Sequence, residues 1–554
     1  MDFEVIQPGP GRLIRAMMDE IDLIPIINST VRWDEAQWNL SPGELIAAML
    51  ISCFCRRQAL YKLEKFYQHQ DLELLFGRND ISGNDFTDDS LGRALDRFAE
   101  HREEIFGTIV LKAREIHRLV YDIIHTDTTS VTVYGEYDSP NEKDPLIALG
   151  FSKDHRPELK QYMTGLIVNS DGVPLFGKPL KGNTSDKDWN SQVFTAFHTG
   201  LADYAHSIMV ADSQAITGPN LKLAKGITFI SRLPSTFALC EQLKQKAWSN
   251  NTWIELGQLA EAKKSATYRI QGFVDEIDGE KYRFVVVHSS SLDKAKENSI
   301  QKGITKELEQ LKKEFARLEK IEFACEPDAR LAFEQLLKTV RPKYHGATTT
   351  VVPKEVMQKR SSRGRPPVGA TSDCKTVWRV TCQTNLDSTA VTKAYDNART
   401  FVLISSASSD RASDTELLKI YKDQPKIERR FKFLKDPYYV GATLFKKPER
   451  IEAFNYVLLL ALLLYSLLER RVRQSLLADK EPFHVAGSYK TYRPSGKTIL
   501  EELDYITVGV FHDFSGNRRE IPANIERALG RLVNLAGFDI KIYATPPCPV
   551  LRDG

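Results

Sequence analysis

Apolar residues recur along the chain with changing periods, and each period predicts a different kind of element. Up to about residue 105 the spacing is helical. Ser41-Pro42-Gly43-Glu44 reads as a helix start, with Ser41 as N-cap, Pro42 at the first helical position and Glu44 closing a capping box before LIAAMLISCF. Thr87-Asp88-Asp89-Ser90 leads into a second capped helix, LGRALDRF. From Tyr121 the pattern changes. YDIIHTDTTSVTVYG is rich in Ile, Val, Thr and Tyr, which favours a strand. QYMTGLIVNSDGVPLFGKPL reads as two strands joined at Asn169-Ser170-Asp171-Gly172. The helical run DKDWNSQVFTAFHTGLADYA, the short apolar strand HSIMVADS, a short helix from about 218 to 225 and the strand ITFIS follow. Strands first, then strand alternating with helix, predict an α/β fold with a mixed sheet and flanking helices.

The next stretch reads as an insertion. Strand-like TYRIQGFV and KYRFVVVH precede a charged helix in which Ile304, Leu308, Leu311, Phe315 and Leu318 are spaced 4, 3, 4 and 3. That heptad seam predicts an intramolecular hairpin with the helix PDARLAFEQLLKTV. The basic Pro/Gly loop KRSSRGRPP, Lys359 to Pro367, comes before the strand TVWRVTCQT, and FVLISS from Phe401 marks a return to the core. VLLLALLLYSLL, Val457 to Leu468, is too short at twelve residues to span a bilayer and reads as a buried helix. The expected divisions are a helical amino-terminal domain (1–110), a core in two parts (115–240 and 396–475), an inserted α+β domain (241–395) and a carboxy-terminal tail (476–554) without an informative pattern.

Composition narrows the class. At 554 residues the chain is too long for one core. A net charge of +3 gives no whole-molecule argument for nucleic acid, so any basic surface must be local. Seven cysteines without C-x-x-C spacing argue against a disulfide framework and a thiolate zinc site, which makes a reducing cytoplasm the simplest compartment. The start MDFEVIQPGPGR shows no basic-then-apolar signal pattern.

Three acids then stand out. Asp127 lies inside the first core strand, Asp212 just past the apolar run SIMVA, and Glu428 in the basic segment YKDQPKIERRFKFLK. Acids carried by two strands and a helix can meet at one sheet edge, and strand C-terminal ends are where ligands bind in open α/β sheets. Such a cluster is costly unless a hard cation such as Mg²⁺ or Mn²⁺ neutralises it. Two such ions, about 3.5–4 Å apart, can activate a hydroxyl and stabilise a leaving oxygen in phosphodiester cleavage. Pro425 suits the first position of a helix on which Glu428, Lys432 and Lys435, spaced 4 and 3, share a face flanked by Arg429 and Arg430. A carboxylate for metal and cations for phosphate on one surface are what DNA cleavage needs. Lys153 and Arg156 in SKDHRP are candidates for the DNA backbone, and Arg363 and Arg365 in RGRP for a minor groove; a solvated loop is the competing reading for each. His125 shares a strand face with Asp127 and is read as a hydrogen-bonded neighbour rather than a ligand. GVPLFGKP imitates a phosphate-binding loop, but Pro179 stands where the metal-binding hydroxyl belongs and the stretch reads as a strand.

These motifs together resemble the bacterial insertion-sequence DDE transposases, in the group with a Y-(2)-R-(3)-E-(6)-K signature around the third acid. Tyr421, Gln424, Glu428 and Lys435 fit that spacing, with Gln424 in place of the Arg. HTDTTSVTVYG resembles the family's first-Asp strand, GFSKDHRPELKQ the segment after it, MVADSQAIT the second-Asp segment and FISRLP the strand that follows. DLELLFG and TDDSLGRALDRF resemble the group's amino-terminal helical domain. The resemblance implies a ribonuclease H-like catalytic core interrupted between the second Asp and the Glu, with Asp127, Asp212 and Glu428 as catalytic metal ligands for two Mg²⁺ or Mn²⁺ ions. It implies cleavage at the terminal inverted repeats of a mobile element, strand transfer by the freed 3′-hydroxyl into target DNA, DNA contacts by Tyr421 and Lys435, and a homodimer on paired ends. A cytoplasmic, nucleoid-associated protein with no membrane partner follows. Two other readings stay open: a domesticated metal-dependent nuclease without strand transfer, and a non-catalytic DNA-binding protein.

Overall fold

The computed structural model describes residues 2–549 except 56–58, 135–136, 138–145, 154–155, 200–203, 205, 260–264, 293, 358–373, 437–444, 446, 486–488 and 514–515. The fold is mixed α/β, with a mixed sheet and many helices. The chain forms two compact units, Met1–Arg232 with Ser405–Gly554, and Leu233–Ile404. The helical amino-terminal region belongs to the first unit.

In the first unit the strands run in the order Pro174–Leu180, Gln161–Asn169, Ile123–Thr132, Ile208–Val210, Phe229–Arg232. The first three are antiparallel and the last three parallel. The hairpin turn is set locally. Asn169 Oδ1 accepts from the Asp171 and Val173 amides at 3.1 and 2.9 Å, and Gly172 takes φ +78°, which a side chain would resist. Helix Asp186–Thr199 packs on this sheet through Trp189, whose Nε1 donates to Thr126 Oγ1 at 2.9 Å. A Cβ at Gly165 would lie 2.5 Å from that indole, so the close approach of helix and strand needs a glycine there.

The helix Pro448–Asp479 is the spine of this unit. It extends well beyond the twelve apolar residues and is long and apolar enough to cross a membrane, yet 94% of its most apolar window is buried inside the unit. It lies against helix Asp88–His117 and the sheet, where Asn455 Nδ2 donates to Thr164 Oγ1 at 2.9 Å. Both expected helix starts form: Ser41 and Glu44 exchange cap hydrogen bonds, and Thr87 accepts from the Ser90 amide. The opening residues depart from the helical expectation. Asp2–Ile6 is a strand paired antiparallel with Val508–Asp513, so the two ends of the chain share a small sheet. Strand partners more than 500 residues apart leave no local sign of each other.

The second unit has a four-stranded arrangement in the order Thr400–Ser405, Glu280–Ser289, Thr267–Ile277, Ile254–Gln258, and a long hairpin of His345–Met357 with Cys374–Leu386. Helices Lys294–Leu318 and Glu326–Val340 close a small core in which Leu311, Phe315 and Leu318 meet Ala329, Phe333 and Val380. The carboxy-terminal part of the heptad seam, Leu311, Phe315 and Leu318, is thus used within the chain, while Ile304 and Leu308 are only half-buried.

Candidate active site

Asp127 sits mid-strand on Ile123–Thr132 and lines an open pocket of about 540 Å³. Across that pocket stand Glu428, Phe431, Lys432, Lys435 and Asp436, from the helix Pro425–Lys435 and the residue after it. The helix reaches this place by its pattern. Ile427, Phe431, Phe433 and Leu434 are buried while Glu428, Arg429 and Lys432 are exposed, so the apolar stripe docks and the mixed-charge face is left open. Glu428 and Asp127, 301 residues apart in sequence, thereby line one pocket.

Asp212 follows the short parallel strand Ile208–Val210. Its side chain caps the turn Ser213–Ala215 by accepting from the Gln214 amide at 3.1 Å, while its carbonyl accepts from Ser231 Oγ at 2.6 Å. The capping role and closeness to the site coexist, because the Asp212 charge is felt at Asp127.

A fourth acid, Asp186, is drawn in. Lys153 Nζ donates to Asp186 Oδ1 at 3.1 Å, to Thr128 Oγ1 at 2.9 Å and to the Thr128 carbonyl at 2.8 Å, and stands 3.8 Å from Asp127 Oδ1. Thr128 Oγ1 also donates to Asp186, and the Thr128 amide donates to Asp127 Oδ1 at 2.7 Å. Asp186 opens the helix Asp186–Thr199, where the cap itself is supplied by Ser185 and Asp188. An acid in TSDKDW reads as capping, and only its surplus over what the cap uses marks it out.

The electrostatics are those of too much negative charge in too little water. Burial pushes the Asp127 carboxyl up to about 7, with Asp212 and Asp186 adding to the rise and Lys153 and the Thr128 amide opposing it. Asp212 is also raised, first by burial and then by Asp186. Tyr421 is half-buried nearby, and its hydroxyl is raised by burial and by the Asp212 charge, against the pull of Arg232.

The remaining candidates divide. Lys432 and Lys435 line the pocket, and Arg429 is exposed on the same helix. Gln424 occupies the N-cap position without a side-chain cap bond and does not line the pocket. Arg156 is on the surface beside Glu158, with which it pairs. Arg363 and Arg365 lie outside the described residues. Arg430 departs from the expected DNA-facing surface. It is buried, pairs with Glu469 at 2.6 Å and donates to the Asp171 carbonyl at 2.9 Å. The helix turns by about 100° per residue, so Arg430 points into the unit when Glu428 and Lys432 point out. His125 is fully buried.

Among the described residues, no three His, Cys, Asp or Glu side chains stand close enough to form a metal-binding group. The donors around Asp127 are nevertheless all hard oxygens with a surplus of negative charge, which is the chemistry that suits Mg²⁺ or Mn²⁺.

Residues 180–464, just over half of the chain, match the family model described as a transposase DDE domain. The chain belongs to the DDE transposase family. Residues 11–111 match a domain of unknown function. The family match covers Asp212 and Glu428 and begins after Asp127. No curated protein matches the chain.

Proposed function

We propose that the protein is an insertion-sequence transposase that cuts DNA at the terminal inverted repeats of its element and joins the freed 3′-hydroxyl to target DNA. The observation that carries this reading is the shared pocket of Asp127 and Glu428, which Lys153, Lys432 and Lys435 also line. Strand order in the first unit, three antiparallel strands followed by parallel ones, supports a ribonuclease H-like core. The spacing of Tyr421, Gln424, Glu428 and Lys435 supports the signature group named above.

Asp127, Asp212 and Glu428 would hold two divalent ions, Mg²⁺ or Mn²⁺. Bound there, such ions supply Lewis acidity for phosphodiester cleavage and transfer. The chain's own contribution is to position the DNA. Lys432 and Lys435 receive backbone phosphates at the pocket, Arg429 and Arg156 extend the basic surface, and Tyr421 and Gln424 contact DNA beside Asp212. Arg430 is left out of this set because its guanidinium is committed to Glu469. A homodimer on paired ends, working in the cytoplasm on chromosomal DNA, completes the reading.

An excision assay tests it. Wild type, Asp127→Asn, Asp212→Asn and Glu428→Gln are each mixed with Mg²⁺ and DNA bounded by the repeats that flank the gene. Cutting and rejoining by wild type alone is the expected result. Cutting without rejoining would leave a nuclease. Binding without cutting by all four would leave a DNA-binding protein.

A further inference from the structure

The proposed reading leaves Lys153 in an unusual place. A lysine meant only for DNA would extend to solvent, as Arg156 does three residues on. Instead the Lys153 ammonium turns inward, and its three protons meet the Thr128 carbonyl, the Thr128 hydroxyl and Asp186 Oδ1 at 2.8–3.1 Å. The side chain is anchored behind as well, since the Lys153 amide donates to Ser130 Oγ at 3.1 Å. Thr128, the residue that carries two of these acceptors, also fixes the Asp127 carboxylate through its amide. The ammonium thus stands 3.8 Å from Asp127 Oδ1, and Asp186 is the charged group among the three acceptors that hold it there.

We propose that Lys153 is the built-in counter-cation of the Asp127 site: held by Asp186, it balances the carboxylates in the ion-free protein and competes with the divalent ion for them. Asp186 is then a positioning residue rather than a third or fourth ligand. The inference rests on the metal-dependent reading of the site. Its physical basis is simple. Two like-charged species cannot occupy one carboxylate cluster at full strength, so binding the ion must weaken the hold on the ammonium, and removing the ammonium must strengthen the hold on the ion. The arrangement lets the protein fold with its acids buried before any ion arrives, at the expense of ion affinity.

Mn²⁺ titration by calorimetry on the full chain, without DNA, tests this directly. Lys153→Met is expected to bind Mn²⁺ more tightly than wild type by about three- to tenfold. Its ion-free melting temperature should fall, and the rise in melting temperature on adding Mn²⁺ should grow. Lys153→Arg, which keeps the charge, should return the affinity to within about twofold of wild type. Equal or weaker Mn²⁺ binding by Lys153→Met, in a protein where Asp127→Asn abolishes binding, would overturn the counter-cation and leave the metal site standing. If Lys153→Met does not fold, Lys153→Gln carries the same comparison, and unchanged affinity in Lys153→Gln overturns the proposal. No Mn²⁺ binding by wild type or any variant overturns both the proposal and the metal-dependent reading.

Discussion

Two charged clusters in the first unit make an instructive pair. One joins Arg430, Glu469 and Arg473; the other joins Asp127, Asp186, Asp212 and Lys153. In the first, Glu469 receives Arg430 and Arg473, each at 2.6 Å, and the Gly496 amide at 3.2 Å. Arg430 also reaches the Asp171 carbonyl and Arg473 the Pro494 carbonyl, each at 2.9 Å. In the second, one lysine faces three carboxylates, and Asp127 is driven up to about 7. A buried charge that serves the fold is paired and hydrogen-bonded until little is left over. A surplus that the fold does not neutralise is where a ligand of opposite charge is expected. The comparison also separates two arginines that look alike in the sequence ERRFK: Arg429 is exposed and Arg430 structural.

The largest effect that would sharpen this contrast is chemical. Glu428→Gln should lower the rate of DNA end cleavage by about a thousandfold, several kcal/mol of lost charge stabilisation at about 1.4 kcal/mol per factor of ten, with an unchanged melting temperature. A rate within tenfold of wild type would remove Glu428 from the chemistry. Next comes the opposite case. Glu469→Ala strands the buried Arg430, takes a partner from the half-buried Arg473 and should cost about 3–5 kcal/mol in a chemical denaturation curve. A loss under 1 kcal/mol would break the distinction between the two clusters.

Third, Asp127→Asn should stabilise the ion-free protein. The folded-state pKa of Asp127 is raised, so its favourable contribution is fully present below about pH 4 and is lost as pH rises through about 7. The asparagine variant lacks that loss. Its advantage over wild type should grow from near zero at pH 4 to about 1–3 kcal/mol above pH 7, read as a melting-temperature difference across that range. A variant less stable than wild type at pH 8 would contradict the account of the site.

Fourth, His117 tests the same logic at a residue that does not line the pocket. Burial, followed by Arg471 and Arg470, lowers its pKa to about 4. The folded state resists its protonation, so stability is complete above about pH 6.5 and declines as pH falls toward 4. His117→Gln should remove about 1–2 kcal/mol of that acid sensitivity after allowing for its partial exposure. The smallest effect belongs to the open face: Lys432→Ala should weaken DNA binding similarly across sequences and reduce the salt-dependence slope by about 1.

Much of the local structure was legible. The capping box at Ser41 and Glu44, the turn at Asn169–Gly172 and the heptad seam ending at Leu318 each depend on hydrogen bonds or packing within a few residues or between adjacent helices. The three candidate acids stood out in the sequence only as an ordered set, because each alone has an ordinary use: Asp212 caps its turn and Glu428 lies on an exposed helix face. Asp186 and the inward turn of Lys153 were not legible, because a lysine in SKDHRP and an acid in TSDKDW both have ordinary surface uses. Their meeting depends on Trp189 seating its helix against Gly165.

By itself, then, the sequence determined the elements, their order and the family to which the chain belongs, because periodicity, caps and motifs are written in neighbouring residues. Only the tertiary structure decided which charges are spent on the fold and which are left over. That is a matter of distance and burial among residues tens to hundreds of positions apart: Arg430 with Glu469, Asp127 with Glu428, Lys153 with Asp186. Electrostatic energy depends on separation and on the surrounding dielectric, and neither is defined until the chain has folded.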